Sequence, residues 1–213
     1  MAITAAAIKE LRDKTNVGMM ECKKALTEAD GDMEKAIVIL RERGMAVAAK
    51  KAGRIAADGL CIPYIAEDGT AVIIEVNCET DFAANGPAFG EFVGTLAKIV
   101  ADKAPADVDA LNACEWPEGG TVADAVQGKV LTIGENIKIR RFVRFAPEAN
   151  VVTLSYNHHN KGKKAVIVRL AVDAGLENNE DVLAFGKNVC MNVCAYTPEF
   201  VDQNEIPADR IEA

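Results

Sequence analysis

Serine and histidine are almost absent from this sequence of 213 residues, which contains one serine (Ser155) and two histidines (His158 and His159). All three fall in one expected hairpin, where neighbouring side chains alternate between the two faces of a strand. That arrangement does not bring a nucleophile, a base and an orienting group into one site. The sequence also lacks the Gly-x-x-x-x-Gly-Lys-Ser/Thr and Gly-x-Gly-x-x-Gly loops. We therefore expect neither covalent catalysis nor a phosphate site in this chain.

Long apolar runs are also missing, and none approaches the length needed to cross a bilayer. The N-terminus has no basic segment followed by an apolar one, so no secretory signal is visible. The six cysteines lack the paired spacing of zinc sites, and Cys190 and Cys194 are interpreted as small buried side chains. Together these features predict a cytoplasmic protein with reduced thiols, no membrane association, no bound metal and no cofactor.

The net charge of −8 disfavours direct binding to nucleic acid, because phosphate contacts need positive potential. The charge is uneven: residues 1–54 hold 11 Lys and Arg against 8 Asp and Glu, whereas the remainder holds 13 against 24. A mildly basic head on an acidic body is compatible with docking to a charged protein surface. Ordinary solvated faces explain the same pattern.

The first 54 residues predict a three-helix head that ends in an Ala- and Lys-rich connector. The first helix is capped by Thr4 and broken at residues 15–18; the second spans Met19–Ala29; the third spans Met33–Arg43 and ends at Gly44. One of Met19 and Met20 is expected to pack into the bundle while the other points elsewhere. An exposed methionine favours partner binding, although a single one is ordinary.

The remainder predicts an α+β fold made of two related regions, residues 55–135 and 136–213, each an antiparallel sheet with a helix. Asp68-Gly69 is a hairpin turn between strand-like runs, and Pro63 indicates an edge strand. The expected strands cover 60–66, 70–77, 137–145, 151–157 and 164–172, and the expected helices cover 87–103, short stretches of 105–133, and 180–195.

The two regions resemble copies of one unit. Ala88-Phe89-Gly90 is matched by Ala184-Phe185-Gly186, and similar strand and proline positions flank both. Only the first region contains Thr80-Asp81-Phe82-Ala83, a short connection that carries an aromatic ring. The ring of Phe82 is either a plug for the core or a side chain offered to a partner. Asp81 reads as a helix cap or a turn residue.

Three ordered segments resemble the translation elongation factor Ts family. They are the stretch from Leu11 to Leu26 with Thr-Asn-Val-Gly-Met-Met-Glu-Cys-Lys-Lys at its centre, Glu75-Val-Asn-Cys-Glu-Thr-Asp-Phe82, and Ile133-Gly-Glu-Asn-Ile-Lys-Ile-Arg-Arg141. The resemblance implies a ubiquitin-associated-like three-helix head and a guanine-nucleotide exchange factor that acts on the GTPase elongation factor Tu.

The same resemblance implies site residues. Thr80, Asp81, Phe82 and Ala83 would form the segment that displaces magnesium from the partner's nucleotide site, with Phe82 as a wedge. The head residues Arg12, Met19, Met20 and Lys23 would touch the same partner domain, and His158 or His159 would lie near another. Ala83 departs from the valine common in the family, which would trim the apolar tip of the wedge.

The resemblance leaves some questions open. Longer members continue into a helical hairpin and a C-terminal module where this sequence stops, so these parts are expected to be lacking, and a homodimer is neither implied nor dismissed. A second hypothesis is a non-catalytic adaptor that binds another protein through the head. A third is a thiol- or metal-dependent enzyme that uses Cys190 and Cys194.

Overall fold

The structure is a computed structural model that describes residues 3–15 and 17–211. Asn16, which belongs to the first expected helix break, lies outside the described residues. So do residues 1 and 2 of the predicted head and residues 212 and 213 of the last predicted region. The described chain combines helices with two small antiparallel sheets, and its N-terminal stretch forms three helices. The predicted α+β class is therefore confirmed.

The three-helix head consists of α1 (Ala5–Thr15), α2 (Met19–Glu28) and α3 (Met33–Lys51). The hydroxyl of Thr4 accepts a hydrogen bond from the N–H of Ala7 at 3.2 Å, and Asp32 accepts one from the N–H of Lys35 at 3.0 Å. These side chains satisfy donors that the first helical turn leaves free. The head has its own apolar cluster, whose buried members include Leu11, Cys22, Leu26 and Leu40.

Helix α3 does not stop at Gly44, so the predicted helix end was wrong. Gly44 is buried within the helix, and a Cβ atom there would lie 3.4 Å from the carbonyl oxygen of Gln127. The glycine thus allows α3 to pass close to α7 (Val122–Ile133), and packing outweighs its helix-ending tendency. Further along α3, Val47 and Ala48 pack against the cluster of the first sheet. One helix therefore belongs to both apolar clusters.

The first sheet contains β1 (Asp58–Ile65), β2 (Ala71–Cys78) and β3 (Lys138–Phe145) in the order β1-β2-β3. Pro63 lies in the edge strand β1, as predicted. Strand β3 pairs with β2 because Ile137 and Ile139 enter the same core. Residues on both sides of the predicted boundary at 135 and 136 thus share one sheet, and the boundary itself stays a prediction.

Helix α5 (Pro87–Lys103) covers this first sheet and buries Phe89, Phe92, Val93 and Leu96 against it. Its start at Pro87 agrees with the preference of proline for the first helical turn. The short α4 (Asp81–Ala84) precedes it, and α6 (Val108–Ala113) and α7 follow it.

The second sheet is the hairpin of β4 (Val151–Asn157) and β5 (Ala165–Ala171), covered by α8 (Glu180–Tyr196); α9 (Ala208–Ile211) lies near the end. Its turn contacts β1 of the first sheet. The carbonyl oxygen of Gly162 accepts a hydrogen bond from the N–H of Cys61 at 2.6 Å, and Lys163 forms an ion pair with Asp58. The pKa of Asp58 is lowered chiefly by this bond from Lys163.

None of the described helices has the length and apolar character needed to span a bilayer.

Candidate partner-binding site

The segment Thr80–Ala83 is a capped helical turn. Thr80 has an extended backbone, and its hydroxyl accepts the N–H of Ala83 at 3.2 Å, so that Thr80 is the N-cap of α4. Asp81 is the first residue of the helix and not its cap. The negative charge of its carboxylate at the first helical position interacts favourably with the helix dipole.

Phe82 points away from the protein, while the two alanines that follow it point inward. Its side chain is 89% exposed, whereas Ala83 and Ala84 are buried in the core of the first sheet. Of the two alternatives from the sequence, the core plug is therefore wrong, and binding of the exposed ring to a partner stays a prediction. Ala83 is not part of an exposed tip, so the expectation that it trims the wedge was wrong. Its small side chain packs into the core beneath the turn.

The carboxylate of Glu135 holds the residues that enter this turn. Its Oε2 accepts the N–H of Glu79 at 2.9 Å and the N–H of Thr80 at 3.0 Å. Its Oε1 accepts the hydroxyl of Thr80 at 2.6 Å. Hydrogen bonds to an ionised acceptor are stronger than those between neutral groups, so three of them on one carboxylate form a firm contact.

The side chain of Glu79 in turn bonds to the residue that follows Glu135. Its Oε1 accepts the N–H of the buried Asn136 at 2.6 Å, and its Oε2 lies 3.5 Å from a guanidinium nitrogen of Arg54. The bond from Asn136, and next the charge of Arg54 working against the cost of desolvation, lower the pKa of Glu79. We call the reciprocal contacts of Glu79 and Glu135 the carboxylate bracket.

The end of α3 also reaches this bracket. Lys51 donates to the carbonyl oxygen of Gly134 at 2.5 Å, and the carbonyl oxygen of Arg54 accepts the side-chain amide of Asn136 at 2.8 Å. The head helix is thereby linked directly to the loop that supports the Phe82 turn.

A buried thiol lies beneath the same turn. Cys78 donates to the carbonyl oxygen of Thr80 at 3.2 Å. Burial, with a further contribution from the charge of Glu135, raises the pKa of Cys78 to about 11. The group therefore stays a neutral thiol near pH 7 and serves as a hydrogen-bond donor.

The head residues of the expected site all lie on the surface of α1 and α2: Arg12, Met19, Met20 and Lys23 are exposed. Met19 is 43% exposed and Met20 is 67% exposed, so the prediction that one packs into the bundle was wrong. Met19 is the first residue of α2 and precedes the buried residues Cys22, Ala25 and Leu26. Two adjacent exposed thioethers form an adaptable apolar spot.

His158 and His159 lie in the turn between β4 and β5, and both are exposed. The Nδ1 atom of His158 is 3.0 Å from the hydroxyl of Tyr156, and the two imidazole rings have centroids 4.0 Å apart. His159 adopts a positive φ of 53°, a left-handed backbone conformation that is uncommon for residues other than glycine. Both rings are available to a partner.

The enzyme hypothesis depends on two thiols that the structure places in the interior. Cys190 and Cys194 are buried, and burial raises the pKa of Cys190. The described residues also contain no group of three or more His, Cys, Asp or Glu side chains that could hold a metal ion.

The residues of the carboxylate bracket were not predicted as site residues. Glu79 and Glu135 are far apart in the chain, and neither has a local motif that indicates such a contact. The available signal was their position inside two of the three segments that resemble one family.

Comparison with known proteins agrees with that resemblance. A family model described as "Elongation factor TS" matches residues 79–213. The chain is 44% identical to "Elongation factor Ts" of Clostridium botulinum (strain Eklund 17B / Type B) over 211 residues, which is 99% of this chain and 68% of that protein. It is also 44% identical to the protein of that name from Syntrophotalea carbinolica, over all of this chain and 69% of the relative. With that from Levilactobacillus brevis it shares 46% identity, over 99% of this chain and 68% of the relative.

Proposed function

The chain belongs to the elongation factor Ts family, which carries out nucleotide exchange in translation elongation, and from this premise we propose that it releases GDP from elongation factor Tu with Phe82 as a wedge. The segment Thr80–Ala83 would displace the magnesium ion held in the partner's nucleotide site. Exchange of this kind needs no covalent step. The proposal places the protein in the cytoplasm, where translation proceeds.

The exposure of Phe82 is the observation that carries the proposal. An aromatic ring that is 89% exposed lies on a short helical turn, which Ala83 and Ala84 anchor in the core and Thr80 anchors in the carboxylate bracket. Large apolar side chains in such positions are typical anchors of protein interfaces. The ring can enter a gap in a partner while its own backbone stays in place.

Energies indicate that Phe82 does not act alone. Weakening the binding of a nucleotide about 10⁴-fold requires roughly 5.5 kcal/mol of differential binding between two states of the partner. Burial of one phenylalanine contributes about 1.5–3 kcal/mol. We therefore propose that Arg12, Met19, Met20 and Lys23 of the head hold the same partner. His158 and His159 would hold it from the second sheet, so that the wedge acts on a clamped domain.

Release of a fluorescent GDP analogue from elongation factor Tu tests the proposal. The full chain should accelerate release, and Phe82→Ala should slow it by about tenfold or more, because the ring's burial energy is lost. Phe185→Ala is the matched control, since Phe185 is also exposed but lies on α8. Unchanged acceleration by a folded Phe82→Ala variant would overturn the wedge.

The adaptor hypothesis gives a different result in the same assay. An adaptor that uses the exposed methionines of the head would bind elongation factor Tu or another protein, yet the full chain would leave the release rate unchanged.

A further inference from the structure

The carboxylate bracket contains a group whose role the proposed exchange activity does not explain, namely Glu135. It lies two residues beyond the end of α7, remote in sequence from Phe82, and its side chain is only partly exposed. Each of its three hydrogen bonds goes to Glu79 or Thr80, the two residues that lead into the Phe82 turn.

We propose that Glu135 is a positioning residue for nucleotide exchange: it fixes the direction of the first turn of α4 and thereby the direction of the Phe82 ring. The inference rests on the proposed function, because it needs Phe82 to be the group that enters the partner. Glu135 acts through Thr80 and is not itself the wedge.

The length of α4 shows why such a support is needed. The helix has four residues, which is too short for a helix to be stable by its own hydrogen bonds. Its direction must therefore come from contacts outside it. Burial of Ala83 and Ala84 supplies one such contact, and the carboxylate of Glu135 supplies another at the opposite end of the turn, where the thiol of Cys78 also bonds to Thr80.

The hydroxyl of Thr80 transmits the effect. A hydroxyl has one proton and two lone pairs. Because its proton is donated to Glu135, a lone pair is left to accept the N–H of Ala83, one residue beyond Phe82. Glu135 thus sets the orientation of the group that caps α4. A loose cap would populate the competent direction of the ring less often, which reduces the effective strength of the wedge in proportion.

Glu135→Gln tests this role with little change in shape. The amide oxygen can still accept the two backbone N–H groups, but the amide NH₂ can only donate to the Thr80 hydroxyl. The variant therefore no longer accepts the hydroxyl proton, and the negative charge that strengthens all three contacts is lost. The bond between Glu79 and Asn136 remains in this variant, and we expect it to fold. Glu118→Gln is the matched control, because it removes the same charge and an amide can still accept the indole N–H of Trp116.

The measurement is release of a fluorescent GDP analogue from elongation factor Tu over a range of concentrations of the full chain. We expect Glu135→Gln to lower the maximal release rate about tenfold, because a charge-assisted contact to the cap is lost. The concentration that gives half of this rate should change by less than about threefold, since other residues hold the partner. Glu118→Gln should behave as the original chain does.

Two further readouts separate positioning from a merely structural role. In the background of Phe82→Ala, adding Glu135→Gln should slow release no further, because there is no ring left to direct. Hydrogen exchange at the amide of Thr80 should become faster in Glu135→Gln, while the amides of the β2 strand stay protected.

Several results would overturn the inference. One is an unchanged maximal release rate in Glu135→Gln. Another is a double variant in which the fold-reduction of the rate equals the product of the reductions in the two single variants. If Glu135→Gln does not fold, Thr80→Val removes the same hydroxyl contact, and an unchanged rate there has the same meaning. Wild-type release by Phe82→Ala would instead overturn the proposed function, and the inference with it.

Discussion

Phe89 and Phe185 occupy matching places in two similar parts of the chain, but the structure treats them in opposite ways. Each lies near the start of the helix that covers a hairpin, within the triplet Ala-Phe-Gly. Phe89 is fully buried in the first core, whereas Phe185 is 61% exposed on α8. The order strand, strand, helix is repeated, while the face that the helix presents to its sheet is not.

The glycine of each triplet shows the same reversal. A Cβ at Gly90 would meet no atom within 4 Å, whereas a Cβ at Gly186 would lie 2.4 Å from Cδ1 of Leu154. Helix α8 therefore packs its glycine against the sheet, and α5 packs its phenylalanine there. Adjacent residues on a helix are about 100° apart, so the two helices differ by roughly that rotation.

The rotation changes what each region can do. Helix α5 buries eight residues and closes a core beneath the Phe82 turn, whereas α8 buries three and leaves apolar side chains at its surface. A closed core is a firm base for the turn, as the proposed role of Phe82 requires. The first region alone has the Thr-Asp-Phe sequence, and it is also the region with the better base.

The largest expected difference between the two regions is the loss of folding stability when each phenylalanine is replaced by alanine. Phe89→Ala should destabilise the fold by about 3–5 kcal/mol, because it leaves a cavity in a closed core. Phe185→Ala should change the free energy of unfolding by no more than about 0.5 kcal/mol, as is usual at exposed positions. Urea unfolding of both variants measures the difference. Equal losses would mean that the two helices face their sheets alike.

A smaller effect is expected at the glycines, with opposite signs. Gly90→Ala should stabilise the protein by about 0.5–1 kcal/mol, since alanine favours the helix and the added methyl group meets open space. Gly186→Ala should destabilise it by about 1 kcal/mol, because the methyl group displaces Leu154 and Leu170. Thermal unfolding of the two variants is the measurement, and a common sign would contradict the proposed rotation.

The smallest expected effect is on the stability of the protein at acidic pH, to which Glu79 in the first region contributes. The folded-state pKa of Glu79 lies below its ordinary value of 4.5 because Asn136 donates to the ionised form. The ionised group therefore stabilises the folded state above the unfolded pKa. That contribution is lost as the pH falls through the lowered folded pKa.

Glu79→Gln should consequently lose less stability than the original chain between about pH 6 and about pH 3. Urea unfolding across this range is the measurement. Amide chemical shifts of β4 and β5 should be unaffected by the substitution at neutral pH. Identical acid profiles of the two proteins would contradict the role assigned to the bond from Asn136.

Local signals in the sequence predicted the elements well. Asp68-Gly69 marked the first hairpin, Pro87 marked the start of α5, and Thr4 and Asp32 marked two helix starts that the structure confirms. Such signals depend on neighbouring residues, so a single sequence contains them.

Contacts between distant residues were not predictable in this way. The pairing of β3 with β2, the packing of Gly44 on α7 and the bonds of Glu135 to Thr80 all depend on where the folded chain brings remote segments together. The exposure of Phe82 could be posed only as an alternative, since a ring in a connection is compatible with both burial and exposure. The roles of the head residues and of His158 and His159 stay predictions.

The length and stiffness of helix α3 bear on how the protein would bind a partner at two places. It is a single helix of 19 residues, roughly 28 Å long, and its two ends belong to the head and to the support of the Phe82 turn. If the head and the Phe82 turn both contact the partner, as proposed, this stiff helix would fix the separation of the two contact points before any encounter takes place. The second contact then forms at a high effective concentration when the partner's spacing agrees, and fails when it does not. Under the proposed function, the length of the helix would select partners whose two contact sites are the same distance apart.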